Sequence, residues 1–217
     1  MNLIEIAHGS YVASRRAAVI ADHLATVMPA GASVLDVGCG DGEIAWLLSL
    51  RRPDLQISGV DVLVRNDTRM PVERFDGRRL PFGEGAFDVV SFVDVLHHCD
   101  NQLELLAEAR RVTRQAIVIK DHALRGLGAG RTLRFMDDVG NRRYGVALPH
   151  NYWRPDQWAA AFASLNLTFE RQLDQLGLYH WPLSVAFDRR LHFLARLAIG
   201  KPSMTEIHSQ PALAASV

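Results

Sequence analysis

The stretch Ser33-Val34-Leu35-Asp36-Val37 runs directly into Gly38-Cys39-Gly40-Asp41-Gly42. A short apolar run that stops at glycine reads as a buried strand followed by a tight turn. Glycines at alternate positions let the backbone approach a ligand with no Cβ in the way. The helix expected over 43–50 would point its free N–H groups at the same place. Pro53 stops that helix, 55–60 reads as a second strand, and Asp61 stands at its end. The order is therefore strand, glycine turn, helix, strand, acid.

Working outward, Val12, Val19, Ile20, Leu24 and Val27 recur at helical spacing, so a helix is expected over 11–28, ended by Pro29-Ala30-Gly31. Downstream, a short strand is expected over 72–75, ending at Asp76-Gly77, and a longer one over 87–93. Asp100 is a candidate cap for a helix to Val112, with Leu105, Leu106, Ala109 and Val112 on one face. Residues 116–120 form another buried strand, closing on Asp121-His122. Near-continuous apolar strands separated by helices imply an α/β fold with a parallel sheet covered on both faces. Such sheets bind ligands at the carboxyl ends of their strands. The polar residues gather there: Asp36 to Gly42, Asp61, Asp76, His97, His98, Asp121 and His122.

The last third differs. Residues 123–155, rich in glycine, arginine and aromatics, read as a partly helical lid that includes Asp137-Asp138-Val139-Gly140-Asn141, Tyr144, Tyr152 and Trp153. A helix over 155–164 and strands over 165–173 and 191–198 follow, joined by a long connection over 174–190. One domain over 1–200 is expected, with a core over 33–122 and a disordered tail over 201–217.

Lys+Arg and Asp+Glu each number 24 among 217 residues, giving a formal net charge of zero. Phosphate-neutralising nucleic-acid binders carry a basic excess, so nucleic acid is not an expected partner. No apolar run approaches the ~18 residues of a membrane span. Asp22 and His23 interrupt the faintly signal-like stretch that precedes them, and the two cysteines, Cys39 and Cys99, are too few for a disulfide framework. A cytoplasmic protein is the expectation.

The glycine spacing narrows the ligand. A dinucleotide fingerprint would place a third glycine where Glu43 stands, and no G-K-[ST] follows for a P-loop. Asp61 lies 23 positions past Gly38, close to the ~20 expected of an acid that accepts from ribose hydroxyls.

Residues 34–42 resemble the first motif of the class I S-adenosylmethionine-dependent methyltransferases. Asp61 resembles their second-strand acid; Asp76-Gly77, then Leu80-Pro81-Phe82 and Phe87-Asp88-Val89-Val90, resemble their third and fourth motifs. Val95-Leu96-His97-His98 is similar to the small-molecule branch of the family. The resemblance covers roughly 33–121. It implies a Rossmann-like, mostly parallel seven-stranded sheet with helices on both faces and an antiparallel C-terminal strand. It also implies S-adenosylmethionine as cofactor, with S-adenosylhomocysteine as product. By the same resemblance Asp36, Gly38, Cys39 and Gly40 line the methionine end and Asp61 binds the ribose diol. Val62 packs on adenine, Asp76 accepts from its amino group with Gly77 behind it, and Phe92 and Val93 sit beside the cofactor. Phe92 departs from the small polar residue common there, which suggests an apolar contact to the methionine moiety or, alternatively, a cation–π contact to the sulfonium.

A methyl transferase must hold an acceptor in line, and a hydroxyl or amine acceptor benefits from a base. His122, His98 and His97 are the candidates, with His122 first because Asp121-His122 opens the lid. A divalent ion on Asp121, His122, Asp137 and Asp138 is conceivable, but nothing in the sequence relates them in space, and no metal site is assigned. A small-molecule acceptor is expected; a non-catalytic cofactor-binding scaffold and a nicotinamide-dependent oxidoreductase are the alternatives.

Overall fold

The computed structural model describes the backbone of residues 3–141 and 148–200, with side chains over 13–140 and 148–200. Helix α1 (Leu3–Val27) precedes β1 (Ser33–Val37), and the glycine turn leads into α2 (Glu43–Arg51). Then come β2 (Gln56–Asp61), β3 (Val72–Arg74) and β4 (Phe87–Val93). A 3₁₀ turn (Leu96–His98), α3 (Gln102–Val112) and β5 (Thr113–His122) follow. The chain closes with α4 (Ala129–Asn141), α5 (Pro155–Ser164), β6 (Leu167–Leu173), α6 (Leu183–Phe187) and β7 (His192–Ile199).

The seven strands form one sheet in the order β3-β2-β1-β4-β5-β7-β6. Strands β1 to β5 are parallel, and β7 runs antiparallel to both β5 and β6. The chain winds outward from β1 to β3, then returns to place β4 on β1's other side. That reversal opens a crevice at the carboxyl ends of β1 and β4.

Period-two alternation divides the strands between two cores. Leu35, Val37, Val90, Phe92, Ile117 and Ile119 face α3 and α5, packing on Leu105, Leu106, Trp158 and Phe162. Val34, Val89, Val118 and Leu194 face the other way, onto Ile20, Leu24 and Val27 of α1 and Leu48 of α2. Both faces are covered, which is why the strands read as continuous apolar runs.

Several boundaries differ from expectation. Helix α1 begins well before residue 11, and Asn101 rather than Asp100 is the N-cap of α3. Strand β5 extends past Lys120, because β7 pairs with it as far as His122↔His192 and so draws polar residues into the ladder. Leu165 and Asn166 belong to the end of α5, where Asn166 takes φ 52°, and the connection after β6 contains α6. Tyr144 and the tail over 201–217 lie outside the described residues. No described helix is long and apolar enough to cross a membrane.

Leu106 is fully buried between α3 and the sheet. Leu106→Ala is expected to cost about 2–5 kcal/mol in urea unfolding. A loss below about 1 kcal/mol would show that α3 does not hold that face.

Candidate active site

At the crevice, Gly38, Gly40 and Gly42 all adopt positive φ (74°, 62° and 76°). A Cβ on Gly38 would lie 2.6 Å from Val95 Cγ2, so the loop after β4 packs directly on the glycine turn. The N–H groups of the three glycines and of Cys39 are already engaged. Gly38 and Cys39 N–H both donate to the Val60 carbonyl (2.8 and 3.2 Å), Gly40 N–H donates to Asp61 Oδ2 (2.8 Å) and Gly42 N–H to the Cys39 carbonyl (2.9 Å). Glu43 N–H donates to Asp41 Oδ1 at 3.1 Å. The three glycine N–H groups are thus turned inward, and the donors left for a ligand are those of Asp41 and of the first turn of α2, as expected of a helix N-terminus. The Cys39 side chain lies behind the turn, where a Cβ on Gly59 would meet its sulfur at 2.6 Å. Burial pushes its thiol far up, away from nucleophilic use.

Asp36 is buried beneath the turn, and Ser91 Oγ donates to its Oδ1 at 2.9 Å. Burial raises its pKa to about 7 against the Ser91 hydrogen bond.

Asp61 is held by two backbone donors, Gly40 N–H on Oδ2 and Leu63 N–H on Oδ1 (both 2.8 Å). Each carboxylate oxygen has two lone pairs, so one per oxygen remains for a diol. Beside it Val62, Leu63 and Val64 are exposed, an apolar strip of the kind a planar ring covers. Asp76 Oδ1 accepts from Arg78 and Arg79 N–H (both 2.8 Å), and these bonds hold its pKa below the ordinary carboxylate value. Gly77, at φ 79°, brings this turn onto Val62, whose Cγ1 lies 3.1 Å from where a Cβ would be. Sequence reasoning missed Arg65, whose guanidinium lies 3.4 Å from the position a Gly40 Cβ would take and pairs with Asp41.

Phe92 departs from its expected role. Its side chain is fully buried in the core on the α3 and α5 face, so it presents no ring to the crevice. Val93, one residue on, packs against the opposite core. The strand's alternation separates two neighbours that the motif had put side by side.

The three histidines do come together. His97 is 4.1 Å from His98 and 4.5 Å from His122 between ring centroids. The buried Asp121 organises them: His97 Nδ1 donates to Oδ1 (2.6 Å), Leu96 N–H to Oδ2 (3.0 Å) and His122 N–H to Oδ1 (2.7 Å). Burial disfavours charge on His97, but Asp121 outweighs it and raises the pKa. Burial and the charge of His97 lower His122 to about 4 and lower His98 as well.

Around them stand Asp94, Lys120 and His192, which the sequence did not single out, and Asp137 and Tyr152, which it did. Asp94, at φ 57°, pairs with Lys120 and with Arg16 of α1, and Lys120 Nζ lies 3.4 Å from His192 Nδ1. Burial lowers Lys120 to about 8 despite Asp94. From the lid, Asp137 approaches His97 and His98, and Tyr152 Oη donates to its Oδ2 at 2.9 Å. The lid is tied down: Asn151 N–H donates to the His97 carbonyl and Asn151 Nδ2 to the Cys99 carbonyl, both at 3.0 Å. Three-dimensional pairing between 94–98, 120–122 and 137–152 has no local sequence signal, which is why Asp94, Lys120 and His192 escaped notice.

Residues 11–177 match the family described as methyltransferase domain. The 27-O-demethylrifamycin SV methyltransferase of Amycolatopsis mediterranei is 30% identical over 110 residues, 44% of this chain and 40% of the relative. The ubiquinone/menaquinone biosynthesis C-methyltransferase UbiE of Desulfotalea psychrophila is 33% identical over 94 residues, 39% of this chain and 38% of the relative. The matched segment thus spans well under half the length of these curated relatives. Among solved structures, a SAM dependent methyltransferase from Aquifex aeolicus superposes with a TM-score of 0.53 at 15% identity, covering 79% of this chain and 84% of that one. At that identity the likeness concerns the fold.

A buried acid with a raised pKa stabilises the fold at low pH and loses that contribution as pH rises through the folded value. From the shift of Asp36 (3.8 to about 7), unfolding free energy should fall by up to roughly 4 kcal/mol between pH 4 and 8. Asp36→Asn should remove that part of the slope, read as the difference between wild-type and variant urea curves. Parallel curves at the two pH values would contradict the burial assigned to Asp36.

Proposed function

The chain belongs to the methyltransferase-domain family, and on that premise we propose that it binds S-adenosylmethionine and transfers the methyl group in line to an oxygen, nitrogen or carbon of a small-molecule acceptor. One observation carries the reading. A glycine turn whose glycine N–H groups are in use lies over a buried carboxylate, beside a pinned acid and an exposed apolar strip. That combination suits a cationic amino-acid group joined to a nucleoside and does not suit a pyrophosphate. Both curated relatives are named for small-molecule acceptors, which supports the same class of acceptor here.

When bound, S-adenosylmethionine supplies a methyl group on a positively charged sulfur. The chain's own residues bind and orient. Asp61 accepts from the ribose hydroxyls through charge-assisted hydrogen bonds. Val62 and Leu63 cover one face of the adenine, and Asp76 accepts from its amino group across the turn that Gly77 permits. Asp36, with the bare backbone of Gly38, Cys39 and Gly40, faces the methionine end, where a nearby ammonium favours its ionised form. Val93 closes the end of β4. On the acceptor side His97, His98 and His122 line the other wall, reached from Gly38 through Val95. His122 is assigned the acceptor's proton when the acceptor is a hydroxyl or an amine. Holding the two partners in line supplies on the order of 7–11 kcal/mol in the best oriented systems, so positioning is the main task.

Calorimetry with S-adenosylhomocysteine should detect one site per chain, and a thermal shift should appear with that ligand and not with NADH. Stabilisation by NADH alone would favour the oxidoreductase reading. Asp61→Asn should weaken S-adenosylhomocysteine about 10- to 100-fold, the loss of a charged acceptor and one pinned donor. Unchanged affinity in that variant would remove Asp61 from the site.

A further inference from the structure

His97 is held as a metal-ligating histidine is held. Its Nδ1 donates to the buried Asp121 carboxylate at 2.6 Å, which fixes the tautomer and the ring and directs Nε2 away from the strand. That Nε2 is buried, with side-chain exposure of 2%, and has no hydrogen-bond partner among the described residues. It points toward Asp137 Oδ1, 3.5 Å away; His98 Nε2 is 3.4 Å from the same oxygen. These separations are long for a charged hydrogen bond, which runs about 2.7–2.9 Å. They match the spacing of ligand atoms around one tetrahedral ion, about 3.4 Å for bonds near 2.1 Å. The three donor atoms lie within 4.8 Å of one another. Asp137 is oriented in turn by Tyr152 Oη on its second oxygen (2.9 Å).

We propose that His97, His98 and Asp137 form a binding site for a divalent transition metal ion. Two imidazoles and one carboxylate suit zinc or ferrous iron, and not magnesium or calcium, which favour oxygen donors. Three protein ligands leave a position open for a further ligand. The neighbouring set of His97, Asp121 and His122 also lies within 4.8 Å, but there Asp121 is already engaged by His97, Leu96 and His122. It serves as the outer partner of a ligand. The ion would join the lid helix α4 to the turn after β4, and its open position would take an oxygen of the acceptor, such as a phenolic or enolic hydroxyl. That last use rests on the methyltransfer reading; the metal site itself rests on the donor geometry alone.

The test uses untagged full-length protein freed of metal by chelator dialysis and titrated calorimetrically with Zn²⁺ and with Co²⁺. One ion per chain is expected. His98→Gln and Asp137→Asn should each weaken metal binding at least tenfold while leaving S-adenosylhomocysteine affinity unchanged, which also shows that the variants are folded. Absence of metal uptake by the wild type would overturn the site, as would equal uptake by both variants. If either variant loses S-adenosylhomocysteine binding as well, X-ray absorption on the zinc-loaded wild type decides. Two imidazoles with oxygen neighbours support the assignment, and any other ligand set rejects it. Metal uptake without cofactor binding in the wild type would keep this site and remove the methyltransfer reading.

Discussion

The buried carboxylate of Asp121 is the point on which the histidine cluster depends. One side chain accepts from Leu96 N–H, His97 Nδ1 and His122 N–H, tying the end of β5 to the turn after β4. A buried carboxylate costs several kcal/mol unless its lone pairs are met, and here three donors from two segments meet them. Burial alone would raise its pKa, yet His97 and His122 hold it far below the ordinary value. With the turn fixed, Val95 is pressed onto Gly38. The same carboxylate thereby sets the distance between the glycine turn and the histidines.

The sheet distributes charge by strand parity. Asp36, Ser91 and Lys120 occupy positions whose apolar neighbours two residues back, Val34, Val89 and Val118, face α1 and α2. Asp121 follows Ile117 and Ile119 toward the opposite core. Apolar burial dominates along each strand and ends at its carboxyl tip, so polar groups collect there without disturbing either core. Acidic groups of both faces therefore converge on one crevice, and the glycine N–H groups of the turn are spent on Val60, Asp61 and Cys39.

The segment from α4 to α5 packs against the histidines. Asn151 is bonded to the His97 and Cys99 carbonyls, and Asp137 and Tyr152 meet the histidines from α4 and from the segment before α5. Helix α1 contributes from the other side through Arg16, which with Lys120 neutralises Asp94. Segments distant in sequence therefore complete a wall that begins at strand ends.

Local sequence was enough for the strand–glycine–helix–strand series, because apolar runs, glycine at positive φ and proline stops are short-range constraints. It was also enough to put Asp61, Asp76 and Gly77 at or just past strand ends beside the crevice. Phe92 was misread because residue spacing gives position along a strand but not which face a side chain takes once two cores compete for it. The lengthening of β5, the burial of Asp94 and Lys120, and the meeting of Asp137 with His97 and His98 were settled only by tertiary structure. They follow from an antiparallel β7 and a folded-back lid, and contacts between segments far apart in the chain leave no periodic trace in either partner.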